Sequence, residues 1–397
     1  MSGTKRVFLE GRASGWELHS LYSELIDFPP EGYEFMVAPN ERVSNSQNVI
    51  YSLNRRLVRN DVTKVLYDYV RPLAYYFYNR LKNEFRPENV DLTYACQHVV
   101  FRREPWVVDL EHAGALVAYG KIKVFKKMVE RALRSDYCKR IIPWTEMGRR
   151  SLLSSFDYRG FEEKIEVVNL AVRPKRFRKR FDDDKIKLLF VGTANPVNIG
   201  DSFAIKGGNE VLKAFESLRK DYRNLELVVR SYVPANIKEK YASFENIRII
   251  NSVIPWKVLD YEFRTADIFI FPGHSTPGMA ILDAMSYELP VVATEVWANR
   301  ELVDEGKTGF LVRGNAKVKY SDSRCVPTWG EPWFMQAISV PDPSMIRDLV
   351  NKIGTLVQDS SLRRKMGSAG RKEVEEGKFS ISRRNIILEK VFDEALE

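Results

Sequence analysis

From residue 185 to 312 the chain alternates short β-branched runs with longer amphipathic ones, and this alternation limits the fold more than any other feature. "KIKLLFVG" (185–192), "LELVVRS" (225–231), "IRIINSV" (247–253), "DIFIFP" (267–272), "PVVATEV" (290–296) and "TGFLV" (308–312) have the length and content of buried strands. Helical runs separate them at 209–220, 234–244, 255–266, after "HSTPG" (274–278) and at 299–306. Strands interleaved with helices form βαβ units, so this half is a doubly wound parallel sheet. Its ligands are expected at the carboxyl ends of the strands, where the Gly- and Pro-rich turns lie.

The first half is less regular. Strands are expected at 5–11, 33–39, 91–96, 106–113, 139–146 and 164–172, and a helix at 62–85 interrupted near Pro72. The Tyr and Phe residues of that helix either pack inward or present an amphipathic face to lipid or a partner. Between the halves, "RPKRFRKRFDDDK" (173–185) reads as a solvated linker or as a patch for phosphates. The expected domains are 1–175 and 185–370, with the joint at 176–184, an excursion at 317–344 and a terminal helix, 371–397, crossing back to the first domain.

A chain of 397 residues with 44% hydrophobic content is long for one core and sufficient for two. Its net charge of +9 favours anionic partners such as acidic lipids, phosphorylated small molecules or nucleic acid. No nucleic-acid module is present, and the basic run lacks interleaved base-stacking aromatics, which argues against nucleic acid. Cys96, Cys138 and Cys325 are too few and too scattered for a disulfide framework, and four histidines without a Cys/His cluster argue against zinc. The amino-terminal residues lack the apolar run of a signal peptide, and no window approaches the length of a membrane span. The expectation is a cytoplasmic protein, with peripheral contact to an anionic membrane face left open.

The turns of the second half carry no GxGxxG and no GxxxxGK[ST], which argues against a dinucleotide site and a P-loop. They still hold anion-binding equipment: Lys206 before two glycines at a helix start, and "HSTPG" before another helix. Asp283, inside that second helix, is either on its wet edge or holds a ligand, since a buried carboxylate must be paired. One carboxylate accepting two vicinal hydroxyls is a way to fix a ribose.

The segments "VGTANPVNIGDSFAIKGGNEVLKAF", "ADIFIFPGHSTPGMAILDAMSYELPVVATEVWANRELVDEGKTGFLV" and "LRRKMGSAGRKEVEEGKFS" together resemble a retaining glycosyltransferase of the GT-B fold, family 4. "KRIIPWTEMGRRSLL" and "KIEVVNLAVRPKRF" are similar to the end of that family's first domain. The resemblance implies two Rossmann-like domains facing a cleft. It also implies a nucleotide-sugar donor, a hydroxyl acceptor on a glycan, glycolipid or small molecule, and no further cofactor. The family's glutamate pair falls on Ser275 and Asp283, its glycine on Gly278, its arginine after "VG" on Thr193 and its diphosphate lysine on Lys206. Met279 and Glu301 occupy donor-side positions, and Gly11 and Gly15 lie in the first glycine-rich turn. The resemblance also places His112 near the transferred sugar. His112 and Lys206 are thus the candidates closest to the chemistry.

Ser275 and Thr193 depart from the family pattern, since neither carries a charge. Arg230, His274 and Arg300 are candidates to compensate. The acidic run 182–184 lies in the joint rather than at a strand end, so a metal-independent reaction is expected. A non-catalytic binding protein with a degenerate site, and a nucleotide-sugar hydrolase or epimerase, remain as alternative readings.

Overall fold

The computed structural model describes residues 3–11, 20–37, 87–117, 122–177, 179, 184–193, 202–276, 278–320 and 332–397. The expected helix at 62–85, Gly15 and Cys325 lie outside them. The chain forms two compact units. One holds Met1–Ala171 and Ile381–Glu397, the other Val172–Ser321 and Val326–Ser380. The expected first domain ended at 175, whereas the first unit's continuous stretch ends at Ala171.

The first unit is built on five parallel strands: β1 (Lys5–Glu10), β2 (Tyr33–Val37), β3 (Leu92–Cys96), β4 (Trp106–Leu110) and β5 (Cys138–Pro143). Their spatial order is β2-β1-β3-β4-β5. β3 and β4 are buried along their whole length, because both faces of a parallel sheet are covered. Trp106, Val108 and Leu110 pack with Phe125, Val129 and Leu133 of the helix Ile122–Arg134. The strand expected at 164–172 does not form. That segment runs beside β5 with only Glu166 N–H to Ile141 O and Val168 N–H to Pro143 O, and Pro143 has no N–H with which to extend a ladder.

The second unit holds six parallel strands: β6 (Ile186–Val191), β7 (Leu225–Arg230), β8 (Ile247–Ile250), β9 (Ile268–Phe271), β10 (Val291–Thr294) and β11 (Gly309–Val312). Their order, β11-β10-β9-β6-β7-β8, turns about the β6–β9 pair. Helices Gly208–Asp221 and Pro343–Gln358 seal one face through Leu212, Phe215, Leu349 and Ile353. Asp342 and Asp359 cap the helices that follow them by accepting Ser344 N–H and Leu362 N–H.

The excursion at 317–344 is more than a loop. Its helix Pro332–Ile338 buries Phe334 and Ile338 with Val318 against Ile205, a small satellite core. The basic joint is likewise less solvated than expected. Lys179 is buried, its ammonium donates to the carbonyls of Arg264 and Ala266, and burial brings its pKa down to about 8. Arg371 donates to the carbonyls of Lys175 and Phe177.

The terminal helix returns to the first unit as expected, beginning at Ile381 rather than 371, because the preceding helix ends at Glu375. Phe392 packs edge-on to Tyr33, Phe35 and Tyr94, with ring centres 5.2, 6.1 and 6.2 Å away. Arg384 is buried and donates to the carbonyls of Glu24 and Phe28. Phe392 anchors this helix to the sheet, so Phe392→Ala is expected to cost about 3–5 kcal/mol of the first unit's stability. Urea unfolding followed by tryptophan fluorescence measures it, and an unchanged midpoint would show that the helix is dispensable.

Candidate functional site

In the second unit the candidate residues gather at the carboxyl ends of β6, β9 and β10. The contact that assembles them is between backbones. Gly207 has φ +80°, and a Cβ there would lie 2.1 Å from the carbonyl oxygen of Pro272. Only glycine tolerates both conditions. The turn carrying Lys206 is thereby pressed onto the end of β9, and His274 N–H donates to Ile205 O at 2.8 Å across the same junction. Lys206 Nζ stands 5.3 Å from the centre of the Phe271 ring. Gly278 meets the same ring, where a Cβ would come within 3.0 Å of Phe271 Cζ. Lys206 and Gly278 therefore both border the Phe271 ring.

Ser275 is buried in the turn between them. Met279 starts the helix Ala280–Ser286, and its carbonyl accepts Asp283 N–H at 2.9 Å. Asp283 is thus a partly exposed carboxylate on a helix whose apolar residues Ile281, Leu282, Ala284 and Met285 are buried. Thr294 Oγ1, fully buried at the end of β10, donates to Gly273 O at 2.5 Å and accepts from Asn299 Nδ2 at 3.1 Å. Asn299 opens the helix Asn299–Leu302 that carries Glu301, so this pair ties Glu301's helix to the turn. Thr294 and Asn299 were missed in the sequence; an alternating strand gives no sign of which threonine faces a neighbouring turn.

Thr193 follows β6 and its carbonyl accepts Tyr232 N–H at 2.8 Å. Of the three candidates to compensate for missing charge, His274 is fully buried. Its Nδ1 is 3.3 Å from Tyr320 Oη and its Nε2 3.2 Å from Glu210 Oε1. Arg300 is bound to Glu295 through both its side chain and its carbonyl. Arg230 has no carboxylate among its contacts.

In the first unit the candidates lie at the ends of β1 and β4. Gly11, at φ +125°, packs against His98, and a Cβ there would sit 3.1 Å from the imidazole. His112 is buried just after β4, its Nδ1 accepting Gly114 N–H at 3.1 Å. In the neutral ring the proton then sits on Nε2. Two buried acid clusters surround these residues. Glu10 contacts His98 Nε2 at 3.2 Å and Arg102, whose Nε also holds Glu104 at 2.6 Å. Burial raises the Glu10 carboxyl, but His98 and Arg102 outweigh it and hold the group down at about 2. Asp109, fully buried, accepts from Trp144 Nε1 at 2.9 Å, Gln97 N at 2.9 Å and Tyr22 Oη at 3.1 Å. Those bonds only partly offset desolvation, and its pKa rises to about 6. Among the described residues, no group of three or more His, Cys, Asp or Glu side chains is placed to hold a metal ion. Nor, among them, is any helix long and apolar enough to cross a membrane.

Two parallel α/β units of this kind, the second with glycine-rich turns converging on one strand edge, define the class of GT-B folds. Residues 185–322 match the family model for glycosyl transferases group 1. The chain is 30% identical over 121 residues to sulfoquinovosyl transferase SQD2 of Arabidopsis thaliana, covering 30% of this chain and 18% of that one. It is 24% identical over 309 residues to the uncharacterized glycosyltransferase MJ1069 of Methanocaldococcus jannaschii, covering 71% of this chain and 70% of that one. The chain thus spans less than a fifth of the first relative's length and about 70% of the second's. The fold is similar to that of Anabaena Alr3699/HepE, solved in complex with UDP, with a TM-score of 0.60, 13% identity and coverage of 98% and 99%.

The opposed shifts of Glu10 and Asp109 give the first unit a defined pH response. Glu10's depressed pKa contributes stability that is present above about 4.5 and lost as pH falls toward 2. Asp109's raised pKa works the other way: its contribution is full below about 3.8 and is lost as pH rises through 6. Carbon-13 titration of the carboxyls is expected to show Asp109 titrating near 6; a value near 3.8 would refute the assignment.

Proposed function

We propose that the protein is a glycosyltransferase moving a sugar from a nucleotide-diphosphate donor to an acceptor hydroxyl, with retained anomeric configuration and without a metal. The observation that carries this reading is the convergence of Lys206 and Gly278 on the Phe271 ring, beside a partly open Asp283. The group 1 match over 185–322 covers the same residues, and Alr3699/HepE, which shares the fold, was solved with UDP.

In the proposed reaction the bond from the anomeric carbon to the β-phosphate oxygen breaks and a bond to the acceptor oxygen forms on the same face. The acceptor's proton leaves with the diphosphate. Negative charge grows on that phosphate in the transition state, and the Lys206 ammonium is the group that stabilises it. Its seat on Phe271 is fixed by the Gly207 junction before substrate arrives, so little reorganisation is needed. Asp283 accepts the ribose hydroxyls and fixes the nucleoside. Ser275 contributes a hydroxyl where a carboxylate is absent, so substrate orientation there depends on hydrogen bonding alone.

A second reading concerns where the acceptor lies. The helix Ile122–Arg134 buries Phe125, Val129 and Leu133 and exposes Lys123, Lys127, Arg131 and Arg134 together with Val124. A basic face with an exposed apolar residue suits an anionic membrane surface.

The donor is found by screening nucleotide sugars for a mass change in acceptor and product. With that donor, Lys206→Ala is expected to raise the barrier by about 3 kcal/mol, mainly in kcat. Asp283→Ala is expected to weaken nucleotide binding while leaving the melting temperature in place. Parental kinetics in both variants would place the diphosphate elsewhere. For the membrane reading, co-sedimentation with vesicles of anionic phospholipid is expected at low salt and to weaken near 0.15 M, where screening acts over about 8 Å. Absence of binding at low salt would remove it.

A further inference from the structure

Arg230 ends β7, directly beside Val191, the last residue of β6, in the parallel register of that pair. Its Nη1 donates to Gly192 O at 3.2 Å, and its Nε is buried without a hydrogen-bond partner. The half-buried guanidinium is held below the usual arginine pKa by desolvation alone, and no acidic neighbour opposes that. By contrast, the half-buried Arg371 of the same unit is matched by Glu288 and Glu375. A cation drawn partly out of water with no counter-charge is costly, and an arriving anion would offset that cost.

Its place in the sheet indicates which anion. In the order β9-β6-β7, Lys206 sits over Phe271 at the end of β9, and Arg230 ends β7. The turn after β6, Gly192–Thr193, lies between them and carries no charge of its own. Ligands of open parallel sheets occupy this carboxyl edge, where the strand order turns. His274 and Arg300 already face Glu210 and Glu295, which leaves Arg230 as the uncommitted cation of the three.

We propose that Arg230 is a second diphosphate-binding residue, a guanidinium from β7 that with Lys206 holds the two phosphates across the Gly192–Thr193 turn. This rests on the reading of the second unit as a nucleotide-diphosphate site and adds a residue to it. Arginine suits the task because its planar fork can give two N–H groups to one phosphate while a third keeps Gly192 O.

Titration calorimetry on the full chain tests it, using UDP, GDP and ADP and then the nucleoside of whichever binds. Arg230→Gln keeps an N–H for Gly192 O and removes the charge. It is expected to weaken the diphosphate about 10- to 100-fold, as loss of a charge-assisted pair does, and the nucleoside less than about twofold. Arg230→Lys restores the charge and is expected to recover most of the diphosphate affinity. An unchanged diphosphate affinity in Arg230→Gln would overturn the proposal, as would equal losses for diphosphate and nucleoside, the result of a merely structural role. Should Arg230→Gln not fold, Arg230→Met supplies the same ratio. If the parent binds none of the three diphosphates, the reading of the whole unit falls and this assignment with it.

Discussion

The turn that carries Lys206 in the second unit is placed by a point where two backbones touch. Gly207 and the carbonyl of Pro272 are so close that any side chain at 207 would have to occupy the oxygen's position. That contact sets the height of Lys206 over Phe271, the register of the His274–Ile205 hydrogen bond, and the place of the turn that leads to Asp283. The satellite core of Val318, Phe334 and Ile338 presses on Ile205 from the other side. The turn that carries the lysine is therefore clamped between a sheet edge and a small apolar cluster.

The first unit solves a different problem. Its central strands are buried on both faces, yet β1 carries Glu10 as its last residue and β4 carries Asp109 as its last but one, both with almost no access to water. Glu10 is balanced by two cationic or ionisable partners and is held ionised. Asp109 has only neutral donors, from Trp144, Gln97 and Tyr22, and burial prevails. The two acids differ in the charge of their neighbours rather than in depth. Asp109 also holds Gln97 in a positive-φ turn, at φ 61°, which orients the chain leaving β3.

Much of this was legible in the sequence. The strands of the second half follow from period and length, since a parallel sheet leaves nearly continuous apolar runs. Lys206, Gly278 and Asp283 could be grouped because turn glycines and a misplaced carboxylate stand out against such runs. The run 164–172 misled because apolar alternation says nothing about whether a neighbour can pair; Pro143 decides that, and it lies on another segment. Lys179 misled for a similar reason. A lysine in a basic run reads as solvated, and only the structure shows two carbonyls that it satisfies. Thr294, Asn299 and Asp109 act through long-range partners, which no local pattern encodes.

The terminal helix has a consequence for how the protein is made. Ile381–Leu396 lies against β3 and β5 through Phe392, Arg384 and Arg140, whose guanidinium binds Glu394 at 2.6 Å. The strands it covers are among the earliest synthesised, yet their cover comes after the entire second unit has been translated. Domains usually fold in the order in which they emerge from the ribosome. Here the order is inverted: the second unit has all its parts by Ser380, while the sheet that was made first waits with Tyr33, Phe35 and Tyr94 uncapped. Until Ile381–Leu396 has been translated, the rings of Tyr33, Phe35 and Tyr94 lack the Phe392 contact that covers them in the folded chain.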